Sequence, residues 1–349
     1  MSLPIQNKIF KILIIGPSWV GDMVMAHSLF QVIKDQHPNS QIDLLAPPSC
    51  EALAKAMPEI SEFIALPFKH GEFGFFKRKN LGKKLQANQY NQSIVLPNSW
   101  KSALVPFFAK IPIRTGYKGE MRYGLLTDCR VLNKKNLPLM AQRFCALGLP
   151  RASSYPNNPQ LELFPKPQLT LPEAWLTETD KKFNLFSQLP LIALCPGAEF
   201  GPAKKWPPEY YAQVAKNCRE AGYQVWILGT AGDQAEGDLI AASVPGVLNL
   251  AGKTSLKDAM VILKQASQVI TNDSGLMHIR AAFDLPLVAI FGSTSAQFTP
   301  PLSNQAQIME ITLGCRPCFQ RTCPKKSDDH MRCLKDLKPD QILNGLDLI

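Results

Sequence analysis

ILIIGPSWVGD, residues 12–22, is the stretch on which the reading of this 349-residue chain turns. Four apolar residues, three of them β-branched, run into Gly16, and a short polar turn then leads to an amphipathic run ending near Gln36. That order reads as strand, loop, helix, the opening unit of an α/β domain. In open α/β sheets ligands bind beyond the carboxyl ends of the strands, so the turn at 16–22 lies where chemistry is usually done. Its one charged residue is Asp22. The glycine spacing of a dinucleotide loop is missing, and Asp22 and Met23 stand where a P-loop needs Lys followed by Ser or Thr. A carboxylate repels phosphate, so the turn calls for a different ligand.

Outward from this unit the pattern repeats. QIDLLA (41–46), EFIALP (62–67) and SIVLP (93–97) read as strands, with helical runs at 50–57 and 77–88. A second series follows: LIALCPG (191–197), YQVWILG (223–229), VLNLAG (247–252), QVITND (268–273) and PLVAIFG (286–292), alternating with helical runs from near Pro208, Asp233, Ser255 and Gly275. Strands separated by helices pair in parallel. Between the two series, 150–172 is proline-rich and aperiodic; proline lacks an amide hydrogen and fixes its own φ, so the stretch reads as an extended connector. The expectation is two doubly wound, Rossmann-like domains, residues 1–165 and 166–349, which suits the length.

No run approaches the ~18 apolar residues of a membrane helix. The start goes straight into a strand, without the basic, apolar and small-residue order of a secretory signal, so a cytoplasmic chain with its cysteines reduced is expected. The net charge of +10 is unevenly divided: residues 1–165 carry 20 Lys and Arg against 10 Asp and Glu, and residues 166–349 carry 18 against 18. A basic half can hold nucleic acid, an anionic membrane surface or a phosphorylated substrate. The segment 98–126, basic and aromatic, follows the strand at 93–97 and is the natural place for such contacts.

In the second half three strand ends carry polar turns. After 191–197 come AEFGPAKKWPP, in which Gly197 and Gly201 allow close backbone approach and Lys204 and Lys205 supply cations for a diphosphate. TNDSGLMH (271–278) joins a strand to a helix; Asp273 or Ser274 can cap it, Gly275 lets a phosphate or sugar approach, and His278 can hydrogen-bond the ligand or simply pack. ILGTAGDQ (227–234) puts Thr230 and Asp233 where a carboxylate commonly binds ribose hydroxyls.

GPSWVGDM, LPNSWKSALVPFFA, RTGYKGEMRYGLL, CPGAEFGPAKKWP and TNDSGLMH together resemble the lipopolysaccharide heptosyltransferases of glycosyltransferase family 9, in the same order and across both halves. The resemblance implies a GT-B fold, two Rossmann-like domains facing across a cleft, with the final helix able to pack back on the first domain. It implies inverting transfer of L-glycero-D-manno-heptose from ADP-heptose to the first heptose of the inner core on Kdo-lipid A, at the cytoplasmic face of the inner membrane of a Gram-negative bacterium. Asp22 is then the general base on the acceptor hydroxyl, and Lys205, with Lys204 beside it, stabilises the departing diphosphate. Donor contacts are expected from Gly197, Ala198, Lys204, Thr230, Asp233 and the turn Asn272, Asp273, Ser274, Gly275, Leu276 and His278. On the acceptor side stand Ser18, Trp19, Asn98, Lys101, Lys118 and Arg122, the basic ones suited to Kdo, lipid A and an anionic membrane surface. No metal is needed for catalysis, and the chain has no DxD motif.

Cys315, Cys318, Cys323 and Cys333 form C-x2-C-x4-C-x9-C with His330 nearby, a spacing that suits a structural zinc or unpaired thiols. A zinc-dependent nucleic-acid-binding protein would also be basic, but would not need two Rossmann-like series. A nicotinamide-dependent dehydrogenase would want the GxGxxG that is missing. Closer rivals are the heptosyltransferase that adds the first heptose and a GT-B sugar-nucleotide epimerase.

Overall fold

A computed structural model of the chain describes residues 9–68, 72–151, 163–185 and 189–346. Part of the connector read at 150–172 lies outside the described residues. The chain divides into two units, Met1–Pro167 and Gln168–Ile349.

In the first unit β1 (Lys11–Ile15), β2 (Gln41–Ala46), β3 (Ile60–Ala65), β4 (Gln92–Val95), β5 (Ile113–Tyr117) and β6 (Asp128–Arg130) form one parallel sheet, ordered β3-β2-β1-β4-β5-β6. β1 pairs on both sides and is buried from Ile12 to Ile15, which is why its apolar run is unbroken rather than alternating. The helices are α1 (Val20–Gln36), α2 (Glu51–Lys55), α3 (Phe75–Leu85), α4 (Leu104–Phe108) and α5 (Met140–Gly148), with α1 packed on α5 and α3 on α4. α3 lies so close to α4 that a Cβ at Gly82 would overlap Phe108 and the Val105 carbonyl. The strand order reverses between β1 and β4, so the turns leaving those two strands share the switch point where such sheets bind ligands. The segment 98–126, expected only to be basic and aromatic, builds α4 and β5 and leads into β6.

The second unit repeats the topology. β7 (Leu191–Cys195), β8 (Gln224–Ile227), β9 (Val247–Asn249), β10 (Gln268–Asn272), β11 (Leu287–Ile290) and β12 (Ala306–Met309) are ordered β12-β11-β10-β7-β8-β9, all parallel, with the reversal between β7 and β10. Its helices are α6 (Glu173–Phe183), α7 (Pro208–Glu220), α8 (Gln234–Ser243), α9 (Leu256–Gln265), α10 (Gly275–Ala281), α11 (Arg332–Lys335) and α12 (Pro339–Leu343). Ser255 and Asp258 exchange side-chain to backbone hydrogen bonds of 3.1 and 3.0 Å, a capping box that starts α9 where the sequence places a helix. Within this unit Ile342 and Leu346 are buried in the core with Trp206, Tyr211 and Val214, as α12 packs on α7.

Candidate functional site

In the second unit the chain between β7 and α7 is pinned before it presents its lysines. Trp206 is fully buried, donates Nε1–H to the Leu337 carbonyl at 2.9 Å, and stacks edge-on against Tyr210 and Tyr211. Its backbone N–H donates to Asn272 Oδ1 at 3.1 Å, and Tyr211 donates its hydroxyl to the same oxygen at 3.1 Å, while Asn272 Nδ2 donates to the Pro196 carbonyl. Asn272, expected at the donor, is a buried strap between the ends of β7 and β10, its side chain bonded within the protein.

The two lysines diverge from this anchor. Lys204 Nζ donates to Asp273 Oδ2 at 2.6 Å and to the Asp273 carbonyl at 3.3 Å, 5.1 Å above the Phe200 ring. Lys205 Nζ instead bridges Asp233 Oδ1 at 3.0 Å and Glu236 Oε2 at 2.7 Å. Burial works against the Asp233 carboxylate, but hydrogen bonds from Lys205 and Thr230 outweigh it and hold its pKa below the usual range. For Glu236 burial wins over the Lys205 contacts and pushes the pKa up. The other Asp233 oxygen accepts from Thr230 N and Oγ1 at 3.0 and 2.8 Å. Both oxygens of Asp233 are thus committed within the protein, and Glu236, which no sequence motif singles out, stands beside it. Gly197 is needed for this arrangement: a Cβ there would overlap the Asp233 carboxylate. Ala198 is buried next to it. At Gly201, where φ is +155°, the close neighbour is the Arg321 carbonyl, so both glycines make room for the protein itself.

The turn at 271–278 gathers the remaining groups. Ser274 is the N-cap of α10, in an extended conformation, and Ser274, Gly275 and Leu276 are half-buried between fully buried flanks. Amides of a first helical turn have no intrahelical carbonyl to bond. Asp273 is buried; its Oδ2 accepts from both Lys204 and, at 2.6 Å, Thr294 Oγ1. Thr294 lies past the end of β11 in a stretch with no motif, so only the fold could reveal it. His278 is buried; desolvation drives its pKa down to about 4, with Asp273 opposing and Lys204 assisting, so the ring is neutral near pH 7. Arg280, fully buried, donates to the carbonyls of Pro286, Leu263 and Ser267 and fixes α10 against its neighbours; burial lowers its pKa only to about 10, leaving it charged.

In the first unit Asp22 is the third residue of α1, whose N-cap is Trp19. It stands half-buried in the first turn, where the helix dipole favours negative charge. Gly16 is filled by packing, since a Cβ would meet Met23, Leu44 and Ala46 at 2.7 to 3.2 Å. Ser18 and Trp19 are exposed in the same turn, and Asn98 is exposed on the turn after β4. Lys118 is exposed, its Nζ 5.8 Å from the Tyr123 ring, and Lys101 is half-buried. Arg122 differs from the rest of the acceptor set. It is 1% exposed and donates to the Pro97 and Tyr117 carbonyls and, at 3.3 Å, to Asn98 Oδ1. Its guanidinium clamps the turn after β4 to the end of β5, where it can position Asn98, another residue expected at the acceptor.

The four clustered cysteines are free, Cys315 exposed and the others half-buried. Among the described residues no group of three or more His, Cys, Asp or Glu is placed to hold a metal ion, so the suggested zinc has no support in the geometry. The loop around them has another task. The Cys318 and Phe319 amides donate to the Ser293 carbonyl, Arg316 to the carbonyls of Gly292, Ile311 and Thr294, and the Arg321 carbonyl accepts from Ala203. It braces the turns that carry Thr294 and Lys204.

Two parallel doubly wound units, each collecting its polar turns at its own switch point, are the build of GT-B glycosyltransferases. A profile described as glycosyltransferase family 9 (heptosyltransferase) matches residues 78–328. The chain is 46% identical over 349 residues to lipooligosaccharide heptosyltransferase 2 of Haemophilus influenzae, covering 96% of this chain and 98% of that one. It is 44% identical to lipopolysaccharide heptosyltransferase 2 of Salmonella typhimurium, covering 96% and 97%. The solved structure of E. coli ADP-heptose LPS heptosyltransferase II superposes with a TM-score of 0.84 at 40% identity, covering 97% of this chain and 98% of that one. The chain belongs to glycosyltransferase family 9 and is a glycosyltransferase.

Proposed function

We propose that the protein transfers L-glycero-D-manno-heptose from ADP-heptose to the first heptose of heptosyl-Kdo2-lipid A, with inversion at the anomeric carbon. The observation that carries this reading is that its similarity to enzymes named heptosyltransferase 2 extends over 96% of the chain and so takes in both switch-point turn sets. In the transfer the acceptor hydroxyl oxygen attacks the anomeric carbon, the bond from that carbon to the diphosphate oxygen breaks, and ADP leaves with the electron pair. Asp22 takes the hydroxyl proton, a contribution of typically 10² to 10⁴ in rate. The first unit supplies this base, and Ser18, Trp19, Asn98, Lys101 and Lys118 border the acceptor.

The second unit holds the donor. Of the two lysines, Lys204 is the better placed to act on the leaving diphosphate, because it reaches the turn where the Ser274 and Gly275 amides offer further donors. Lys205 holds Asp233 and Glu236 together, and Glu236 is the carboxylate with an oxygen left for ribose hydroxyls. A direct test measures ADP release from ADP-heptose with heptosyl-Kdo2-lipid A and with the acceptor lacking its heptose. Release should require the heptose. Equal rates on both would assign the chain to the first transfer, and an altered sugar nucleotide formed without acceptor would make it an epimerase.

A further inference from the structure

One surface of the first unit runs from the turn after β4 out over α3 and α4, beyond the side chains proposed to border the acceptor. Ring contacts run from Trp100 to Phe73 (5.3 Å between centroids), Phe73 to Phe75 (6.0 Å), Phe75 to Phe108 (5.6 Å) and Phe108 to Phe107 (5.4 Å), with Phe76 edge-on to Phe75 at 5.5 Å. Phe73, Phe76, Trp100 and Phe107 are exposed, Phe76 to 74%. Aromatic side chains grouped in this way on a surface mark an interaction site. The rings are held there by design of the scaffold. Arg78 is buried with its guanidinium 3.9 Å over the Phe68 ring, and it donates to the carbonyls of Phe73 (2.7 Å), Glu72 (3.3 Å) and Lys101 (3.3 Å). That one side chain ties α3 to the loop before it and to the turn carrying Trp100.

Charge decides the occupant. α3 reads FFKRKNLGKKL, with Lys77, Lys79, Lys83 and Lys84 and no acid, and among the described residues only Lys77 of these is paired with a carboxylate, Glu72 at 2.6 Å. At helical spacing Phe76, Lys79 and Lys83 share a face. Lys101 and Lys110 follow Trp100 and Phe108. A second copy of this surface would bring like charge against like, whereas rings flanked by lysines match the headgroup boundary of an anionic bilayer, rings in the acyl edge and ammonium groups on lipid phosphate. We infer that this aromatic and basic surface of α3 and α4 docks the protein on anionic lipid. Phe73 and Trp100 follow β3 and β4, so the surface borders the sheet edge that carries Asp22. A lipid-linked acceptor would arrive at that edge; this last step rests on the proposed function, and the docking does not.

The test sediments the full-length protein with vesicles, without sugar substrates. Binding is expected to phosphatidylglycerol-containing vesicles and not to phosphatidylcholine, and to weaken with salt. Phe76→Ser with Phe107→Ser, and separately Lys83→Glu with Lys84→Glu, should each lower partitioning by at least about tenfold, a single near-surface cation contributing roughly fivefold. Transfer to a lipid-free acceptor should be unchanged in both, which also shows that they fold. Equal binding to both vesicle types, or undiminished binding by both double variants, overturns the proposal. So does tight binding of a single-stranded oligonucleotide that the variants lose instead. If the wild type fails to transfer to any acceptor yet binds vesicles as described, the proposed function falls and the docking stands.

Discussion

Two adjacent lysines of the same type end in different chemistry because Trp206 fixes the backbone that carries them. Lys204 faces Asp273 and the start of α10, while Lys205 closes a carboxylate pair. Removing them should therefore fail in different ways. Lys204→Ala is predicted to lower kcat by 10- to 1000-fold, as the loss of a preorganised donor at a leaving group does, and to cost roughly 1–3 kcal/mol of stability, because the buried Asp273 carboxylate then keeps only Thr294. Lys205→Ala leaves Asp233 and Glu236 side by side without a cation. It is predicted to cost about 1–2 kcal/mol of stability, discounted because the pair is partly open to solvent, and to weaken donor binding more than kcat. Equal kinetic defects in the two variants would mean that both serve the diphosphate. At Asp22 the decisive change is Asp22→Asn, which keeps the size and removes the basicity. Turnover should drop by about 10² to 10⁴ with unchanged circular dichroism, and near-normal turnover would remove Asp22 as the base.

Which elements the sequence disclosed depends on how each is buried. β1, β2, β7, β10 and β11 are flanked on both sides and read as apolar runs, so these strands and their parallel pairing could be expected from residue patterns, while their order within each sheet could not. β5 is IRTGY and β6 is DCR, one turned outward at its start and the other three residues long, and β12 is a half-exposed edge strand; none has an apolar run to betray it. The candidate site divides in the same way. Asp22, Lys204 and the turn at 271–278 stand in local motifs, but Arg122 looks like a surface cation until β5 and the turn after β4 close around it, and Thr294 has no local signal at all. The turn after β11 is accordingly the element whose role most needs testing. Thr294→Val removes one of two donors from Asp273 Oδ2, and we predict a several-fold rise in KM for the donor with a smaller loss of kcat, and about 1–2 kcal/mol of lost stability. Thr294→Ser should restore both; a serine variant as impaired as valine would point to the methyl group and to packing.

Across the whole molecule, two units of one topology carry different electrostatic loads, and they should answer to acid differently. In the second unit His278 is buried and neutral with its pKa near 4, against about 6.5 in an unfolded chain. Its folded pKa is depressed, so between those values the unfolded chain binds the proton more readily. The stability that follows is complete above about pH 6.5 and drains away as the pH falls toward 4, by about 2 kcal/mol between pH 7 and 5. In the first unit the corresponding group is a carboxylate and acts lower. Glu59, despite partial burial, has its pKa held below the ordinary value by His27 at 2.6 Å, so its contribution is lost only as the pH drops through the acid range of a carboxylate. The chain also supplies a reporter: Trp206 and Trp226 are buried in the second unit, while Trp19 and Trp100 of the first are exposed, so the change in tryptophan emission on unfolding is dominated by the second. Urea unfolding followed by that emission should show a midpoint that falls steadily from pH 7 to 5 in the wild type. In His278→Gln, which cannot take the proton, the midpoint should start lower and stay nearly level over the same interval. A wild-type midpoint that is flat from pH 7 to 5, or a glutamine variant that falls as steeply, would place the acid sensitivity in another group.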